Sequence, residues 1–219
     1  MFDIDRWLLL FSDWRVFAGG FLITIAISLV SLVLTLLISL FVGIVRCTQN
    51  TTAKNIALAY INFFQNTPLI VQLLFMYNVL PRIGIMLSPF LCGCIGLSLY
   101  TGAFGASVFE SAIKAIPKGQ NEAALSQGMS YIQSLFYIIL PQAVKIAIPP
   151  MTNQCVNMIK NSATLTVVTA GELMYCADGW AADYGCYTQS FIISALLYLI
   201  LCLPLSKWSE ALEKKLVRG

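Results

Sequence analysis

The sequence predicts an all-α integral membrane protein with five transmembrane helices, the N-terminus outside and the C-terminus inside. Three observations predict it. First, 58% of its 219 residues are hydrophobic and only 11% are charged, against about 25% charged in a soluble domain; mean hydropathy is +0.81. Second, long runs without charge recur along the chain. Third, the basic residues divide unequally between the two sides that those runs define.

A helix crosses a bilayer with about 20 apolar residues. Residues 21–45, FLITIAISLVSLVLTLLISLFVGIV, supply the first span without a charge. Residues 56–80 supply the second, also uncharged but carrying Gln65, Asn66, Pro68 and Gln72. The third is expected over 89–110 and the last over 186–206. Residues 139–165 are apolar but interrupted by Pro141, Lys145, Pro149, Pro150 and Lys160. Charge decides whether they cross. With five spans and the N-terminus outside, nine basic residues lie inside (Arg46, Lys54, Lys114, Lys118, Lys145, Lys207, Lys214, Lys215, Arg218) and four outside (Arg6, Arg15, Arg82, Lys160). Four spans with the N-terminus inside divide the same residues seven against six, and four with it outside strand the basic C-terminus on the wrong face. Five spans satisfy the positive-inside rule best. Acidic residues agree: Asp3, Asp5, Asp13, Glu172, Asp178 and Asp183 fall outside. Residues 1–219 then form one transmembrane domain, and 111–138 form a cytoplasmic loop with its entry into the fourth span.

Composition excludes several function classes. The chain has no histidine, the usual zinc ligand and general base. No catalytic residue, metal site or resident cofactor is expected. A net charge of +3 gives no reason to expect a nucleic-acid partner. No GxxxxGK[ST] phosphate-cradling loop is present, so ATP hydrolysis by that route needs another subunit. The seven cysteines form no CxxC framework and read as small hydrophobes. Cys176 and Cys186, ten apart in the outer 171–186 loop, leave a disulfide or two free thiols open.

The loop carries NEAALSQGMSYIQSLFYIILPQA, residues 121–143. Its spacing is Glu122-Ala123-Ala124, three residues, Gly128, nine residues, Ile138, one residue, Leu140-Pro141. Asn121 is placed to cap a short helix, small residues at 123 and 124 permit close approach of a partner, and Gly128 can end the helix in the left-handed region. Pro141 suits the first turn of the next helix. The pattern resembles the EAA loop of permease subunits of ABC importers, EAA-x3-G-x9-I-x-LP, at every fixed position. That resemblance implies that Glu122, Ala123, Ala124 and Gly128 form a coupling helix seated in a groove of a cytoplasmic ABC ATPase, which binds the ATP.

Further segments narrow the resemblance. FFQNTPLIVQLLF (63–75), AIPKGQNEAA (115–124), LPQAVKIAIPPMTNQCVNMIKNSATL (140–165) and GELM (171–174) are similar to segments of the polar amino acid permeases. The similarity covers about residues 20–205. It implies an importer subunit of a bacterial inner membrane, a second permease subunit (an identical or similar chain) and an extracytoplasmic amino-acid-binding protein. The sequence departs from the family pattern in two places. Ser107 and Glu110 stand where relatives often carry Glu and Arg, which directs Glu110 toward Lys114 at i,i+4. In Lys160-Asn161-Ser162-Ala163-Thr164 an amide replaces the usual carboxylate.

Polar side chains within a span face a cavity or another helix. Gln65, Asn66 and Thr67 precede Pro68; Asn153, Gln154, Asn157, Asn161 and Ser162 follow Pro149-Pro150. Prolines free helix carbonyls, and broken helices can hold a zwitterion at mid-depth. These residues are candidates for the substrate path, or for helix-to-helix and dimer contacts. Asn153, Asn157 and Asn161 recur every four residues as one stripe. In some relatives that carry cationic amino acids, a carboxylate stands at the position of Gln154, so the amide here favours a neutral polar substrate such as glutamine. Lys160 either snorkels to the outer interface or meets a substrate carboxylate. Three rival readings are weaker. An ion-driven secondary transporter would want ionisable residues inside its spans, which the first, second and fifth lack. A membrane enzyme lacks its chemistry. An export or insertion subunit that docks an ATPase is opposed only by the amino-acid-permease motifs.

Overall fold

A computed structural model describes residues 4–217. Asp3 and Arg218, both counted in the charge argument, and the Lys215 side chain lie outside the described set. Helices follow one another in the order α1 (Ile4–Ser12), α2 (Trp14–Cys47), α3 (Thr51–Gln65), α4 (Leu69–Asn78), α5 (Pro89–Ala115), α6 (Lys118–Ser126), α7 (Tyr131–Ser134), α8 (Leu140–Asn161), α9 (Leu173–Tyr184) and α10 (Tyr187–Val217). A π turn, Leu135–Ile139, joins α7 to α8, and a 3-10 segment, Ser162–Val168, extends α8. No strand occurs among the described residues.

Four helical stretches are long and apolar enough to cross a membrane: Trp14–Cys47, Pro89–Ala115, Tyr131–Val168 and Tyr187–Lys214. The expected second span, 56–80, is in two pieces. Pro68 has no N–H to continue the ladder, so α3 stops at Gln65 and α4 restarts at Leu69. Gln72 closes the gap. It is 7% exposed, and its Nε2 donates to Phe64 O at 3.2 Å, Thr67 O at 3.1 Å and Thr67 Oγ1 at 2.6 Å. Backbone groups freed by the break are thereby satisfied where water is scarce. The two pieces follow α5 from its Ser107 end, where Gln65 bonds, to its Cys92 end, whose thiol donates to Leu73 O.

Packing is built on small residues. The face of α2 that is buried reads Gly20, Thr24, Ser28, Ser31, Thr35, Ser39, Gly43, a step of three or four each time. Gly20 and Thr24 of this face meet α9, whereas Ser31, Ser39 and Gly43 lie against α5, which buries Cys94, Ser98, Gly102, Gly105 and Ala106. Close approach lets hydroxyls reach backbone across the interface: Ser31 Oγ to Cys94 O at 3.4 Å, Ser98 Oγ to Ser31 O at 3.2 Å and Ser39 Oγ to Gly102 O at 3.3 Å. In lipid, where apolar surface alone does not drive association, such packing and bonds of about 0.6 kcal/mol each hold helices together. Large apolar side chains point outward instead, among them Leu22, Leu29, Val33, Leu37, Leu199 and Ile200.

Three expectations change. The helix expected over 139–165 begins at Tyr131, eight residues early, behind a capping box of Ser130 and Gln133. Pro141 is therefore internal to a continuous rod, next to the π turn that accommodates it. Pro149 and Pro150 do not break α8, which runs through both. Most of the 171–186 segment, expected as an outer loop, is a helix, α9, that packs on α2 and α10. Cys176 and Cys186 are free thiols: Cys176 lies against Gly20 of α2, while Cys186 packs in the Leu10–Phe17–Trp180 cluster.

Candidate coupling and translocation sites

The Glu122-Ala123-Ala124 motif lies in α6. Pro117 precedes it, with extended backbone and no side-chain cap. Asn121 is inside the helix rather than its cap, and accepts from Ser134 Oγ at 2.7 Å. This bond ties α6 to the start of the long Tyr131–Val168 helix, as does Gln142 Nε2 to Gln120 Oε1 at 3.5 Å. Gly128 has φ +84°, a left-handed conformation suited to glycine. Its N–H reaches Leu125 O at 2.9 Å, and that of Met129 reaches Ala124 O at 3.2 Å, which closes the helix end. The two alanines separate in role: Ala124 is buried against the body, whereas Ala123 is exposed beside exposed Glu122 and Leu125. The outer face of α6 is thus small at its centre, with an acid and a leucine at its edges. A partner can sit close on it.

Above α6 the ends of α2 and α5 are clamped by charge. Glu110 receives Arg46 through Nε at 2.9 Å and Nη2 at 3.0 Å, and Lys114 Nζ at 2.6 Å. Arg46 Nη1 also donates to Lys54 O at 3.2 Å. The expected Glu110–Lys114 pair is present, and the second partner, Arg46, comes from 64 residues away. Bidentate arginine–carboxylate pairing fixes orientation as well as charge.

The predicted path residues do not stay together. Gln154, Asn157 and Asn161, with Lys160, line one wall of a cavity of about 260 Å³ whose other wall is Tyr100, Thr101 and Phe104 of α5. Thr101 is 2% exposed and its hydroxyl has no partner among the described residues. The α5 wall was missed from sequence; the hydroxyls of Tyr100 and Thr101 in an otherwise apolar, small-residue run were its signal. Asn153 turns toward α10 and accepts from Ser209 Oγ at 3.4 Å. The stripe drifts because each step of four overshoots a 3.6-residue turn by about 40°. Ser162 is fully buried, its Oγ donating to Ile159 O at 2.7 Å. Gln65 donates to Ala103 O and Ser107 Oγ at 3.1 and 3.0 Å. Asn66 and Thr67 bond back to Asn62 O and Phe63 O, at the helix break. The cavity offers amides, a hydroxyl, an aromatic wall and one ammonium, and no carboxylate. Its volume is below the roughly 300–1,000 Å³ of drug-sized pockets, which suits a small polar molecule.

Residues 36–218 match the family of binding-protein-dependent transport system inner membrane components. The chain belongs to that family. As an inner-membrane ABC permease component it is multi-pass, in keeping with its apolar helices. A probable glutamine ABC transporter permease of Bacillus subtilis (strain 168) is 38% identical over 96% of this permease and 98% of its own length. An L-cystine transport system permease of the same organism is 29% identical over 94% and 89%. A crystal structure of an amino acid ABC transporter with histidines has a chain of 30% identity and TM-score 0.86, covering 95% of this permease and 97% of that chain.

Proposed function

We propose that this permease forms, with a second permease subunit, the path of an importer for polar amino acids, driven by separate ATPase subunits and fed by an extracytoplasmic binding protein. The observation that carries it is α6: a short helix with a small, exposed centre, closed by left-handed Gly128 and tied to the long Tyr131–Val168 helix through Asn121 and Ser134. Movement imposed on α6 would pass into the helix that carries Gln154, Asn157 and Asn161. Glu122, Ala123 and Gly128 would meet the ATPase, and Ala124 would hold α6 to the body.

In this reading five spans cross the membrane, with α3 and α4 together as the second, and the N-terminus outside. Relatives bearing glutamine and cystine in their names support an amino acid as cargo. The cavity beside Thr101 would hold the substrate; its want of a carboxylate favours a neutral side chain such as that of glutamine. The prolines at 149 and 150 contribute no break there, and backbone carbonyls are freed instead at Asn66–Pro68.

The test is purification of the native complex with wild type and Gly128→Val. A valine at φ +84° is strained although space is open around it. The expected result is an ATPase bearing a phosphate-cradling loop that co-purifies with wild type and is lost with the variant. Wild type without any ATPase, at every nucleotide condition, would refute the reading. Uptake competition then tests the cargo: inhibition by arginine and none by glutamine would refute a neutral substrate.

A further inference from the structure

Between α6 and the ends of α2, α3 and α5 lies a cavity of about 410 Å³ whose basic residues the transport reading does not use. Arg46, Lys54, Lys114 and Lys118 converge on it from four different helices. Two carboxylates oppose these four cations. Glu110 is taken up by Arg46 and Lys114, and Glu122 lies at the rim on exposed α6. Lys54 and Lys118 have no carboxylate partner among the described residues, so the cavity keeps an excess of two positive charges. Its remaining wall is largely apolar, from Ile113, Ile116, Leu135 and Ile139, with Asn121 and Tyr131 among them.

We propose that this cavity binds a phosphate group, and that the headgroup of an anionic phospholipid is the source its position favours. Basic pockets between membrane helices on the cytoplasmic side take anionic headgroups. Here the apolar wall gives the glycerol and first methylenes a surface, while the two free lysines face the phosphate. Lys54 sits at the end of the first turn of α3 and Lys118 opens α6, so a phosphate held by both would brace the coupling helix against the membrane body. That consequence rests on α6 being the coupling helix; the binding itself does not.

Native mass spectrometry of the purified complex tests binding directly. Wild type is compared with Lys54→Gln, Lys118→Gln and the double variant, each with phosphatidylglycerol, phosphatidylcholine or inorganic phosphate. The expected result is selective retention of phosphatidylglycerol, falling roughly fivefold for each lysine removed. Stabilisation by inorganic phosphate without lipid retention, lost in the same variants, would keep the phosphate site and assign a soluble source. Equal retention of both lipids, or retention unchanged in the double variant, would overturn the proposal. Elution volume and yield check that each variant folds, and the single variants stand in if the double one does not. ATPase co-purification is read from the same spectra, so failure of the coupling reading is seen separately.

Discussion

Glu172 is fully buried, although the sequence marks it only as part of GELM and as one acid among those expected outside. Its carboxylate accepts from Met174 N at 2.6 Å, Tyr175 N and Thr166 Oγ1 at 2.8 Å, and Tyr198 Oη at 3.1 Å. It therefore caps α9 and joins the end of the Ser162–Val168 segment to α10. Burial pushes its carboxyl above the usual range; the four donors oppose that shift without cancelling it. Because the folded value is raised, the group's contribution to stability is complete below the unfolded value of about 4.3 and declines as pH rises through the folded value. Glu172→Gln keeps one acceptor oxygen but turns an NH2 toward the two donors on the other, so it should lose part of the stability, less than alanine does, and lose that pH slope. Glu172→Ala orphans four donors and should lose about 3 kcal/mol or more, read as a fall in melting temperature in detergent. Equal losses for the two would mean that the cap is not what the carboxylate supplies. Among the path residues, Gln154→Glu places an acid in the cavity beside Lys160. Competition by arginine in uptake should rise in that variant, and unchanged competition would remove Gln154 from the substrate wall.

At the scale of elements, the α2–α5 contact is limited by backbone approach. A Cβ on Gly43 would stand 2.5 Å from that of Phe109 and 3.1 Å from Ala106 O, and one on Gly105 would fall 2.1 Å from Ser39 Oγ. Neither helix can retreat without loss elsewhere, so Gly43→Ala and Gly105→Ala should each lower stability by about 1–3 kcal/mol. Gly19→Ala meets open space and should be neutral in the same thermal assay. The broken α3–α4 pair depends on Gln72. Gln72→Leu removes three bonds to the break while keeping similar bulk, and should lower the melting temperature more than Asn66→Ala, whose amide serves only the last turn of α3. The free thiols belong to this scale also. Labelling at Cys176 and Cys186 under denaturing conditions should be the same with and without reductant.

For the whole molecule, the orientation is open to a direct check. Reporter tags at the two ends should lie on opposite faces, the N-terminal one outside; tags on one face would set an even number of spans. Helix α5 touches α2, α3, α4 and α8, while α10 packs on α8 and α9. The position of α5 puts the cavity wall (Tyr100, Thr101 and Phe104) and the charge clamp at Glu110 on the same helix, about two to three turns apart along its axis. The cavity near Lys160 and the cationic cavity near Lys54 then lie toward opposite ends of the molecule, joined by the long helices between them. Binding in one can be felt at the other only through those rods.

What the sequence by itself determined was of two kinds. Hydropathy determined the long apolar helices α2, α5 and α10, since burial in lipid needs length and the want of charge, both of which are local properties. The EAA spacing determined α6 and its glycine end, because a left-handed turn after a short helix is also local. Only the tertiary structure decided the rest. Whether Pro68 or Pro149 breaks its helix depended on who could satisfy the freed backbone: Gln72 reaches back across the first, and the continuous α8 tolerates the second. The separation of Asn153 and Ser162 from Gln154, Asn157 and Asn161 came from which neighbours, α10 or α5, each helix face met. Glu110 acquired Arg46 because α2 and α5 pack closely enough for their ends to meet. These outcomes depend on contacts between residues far apart in the chain, and no local spacing encodes them.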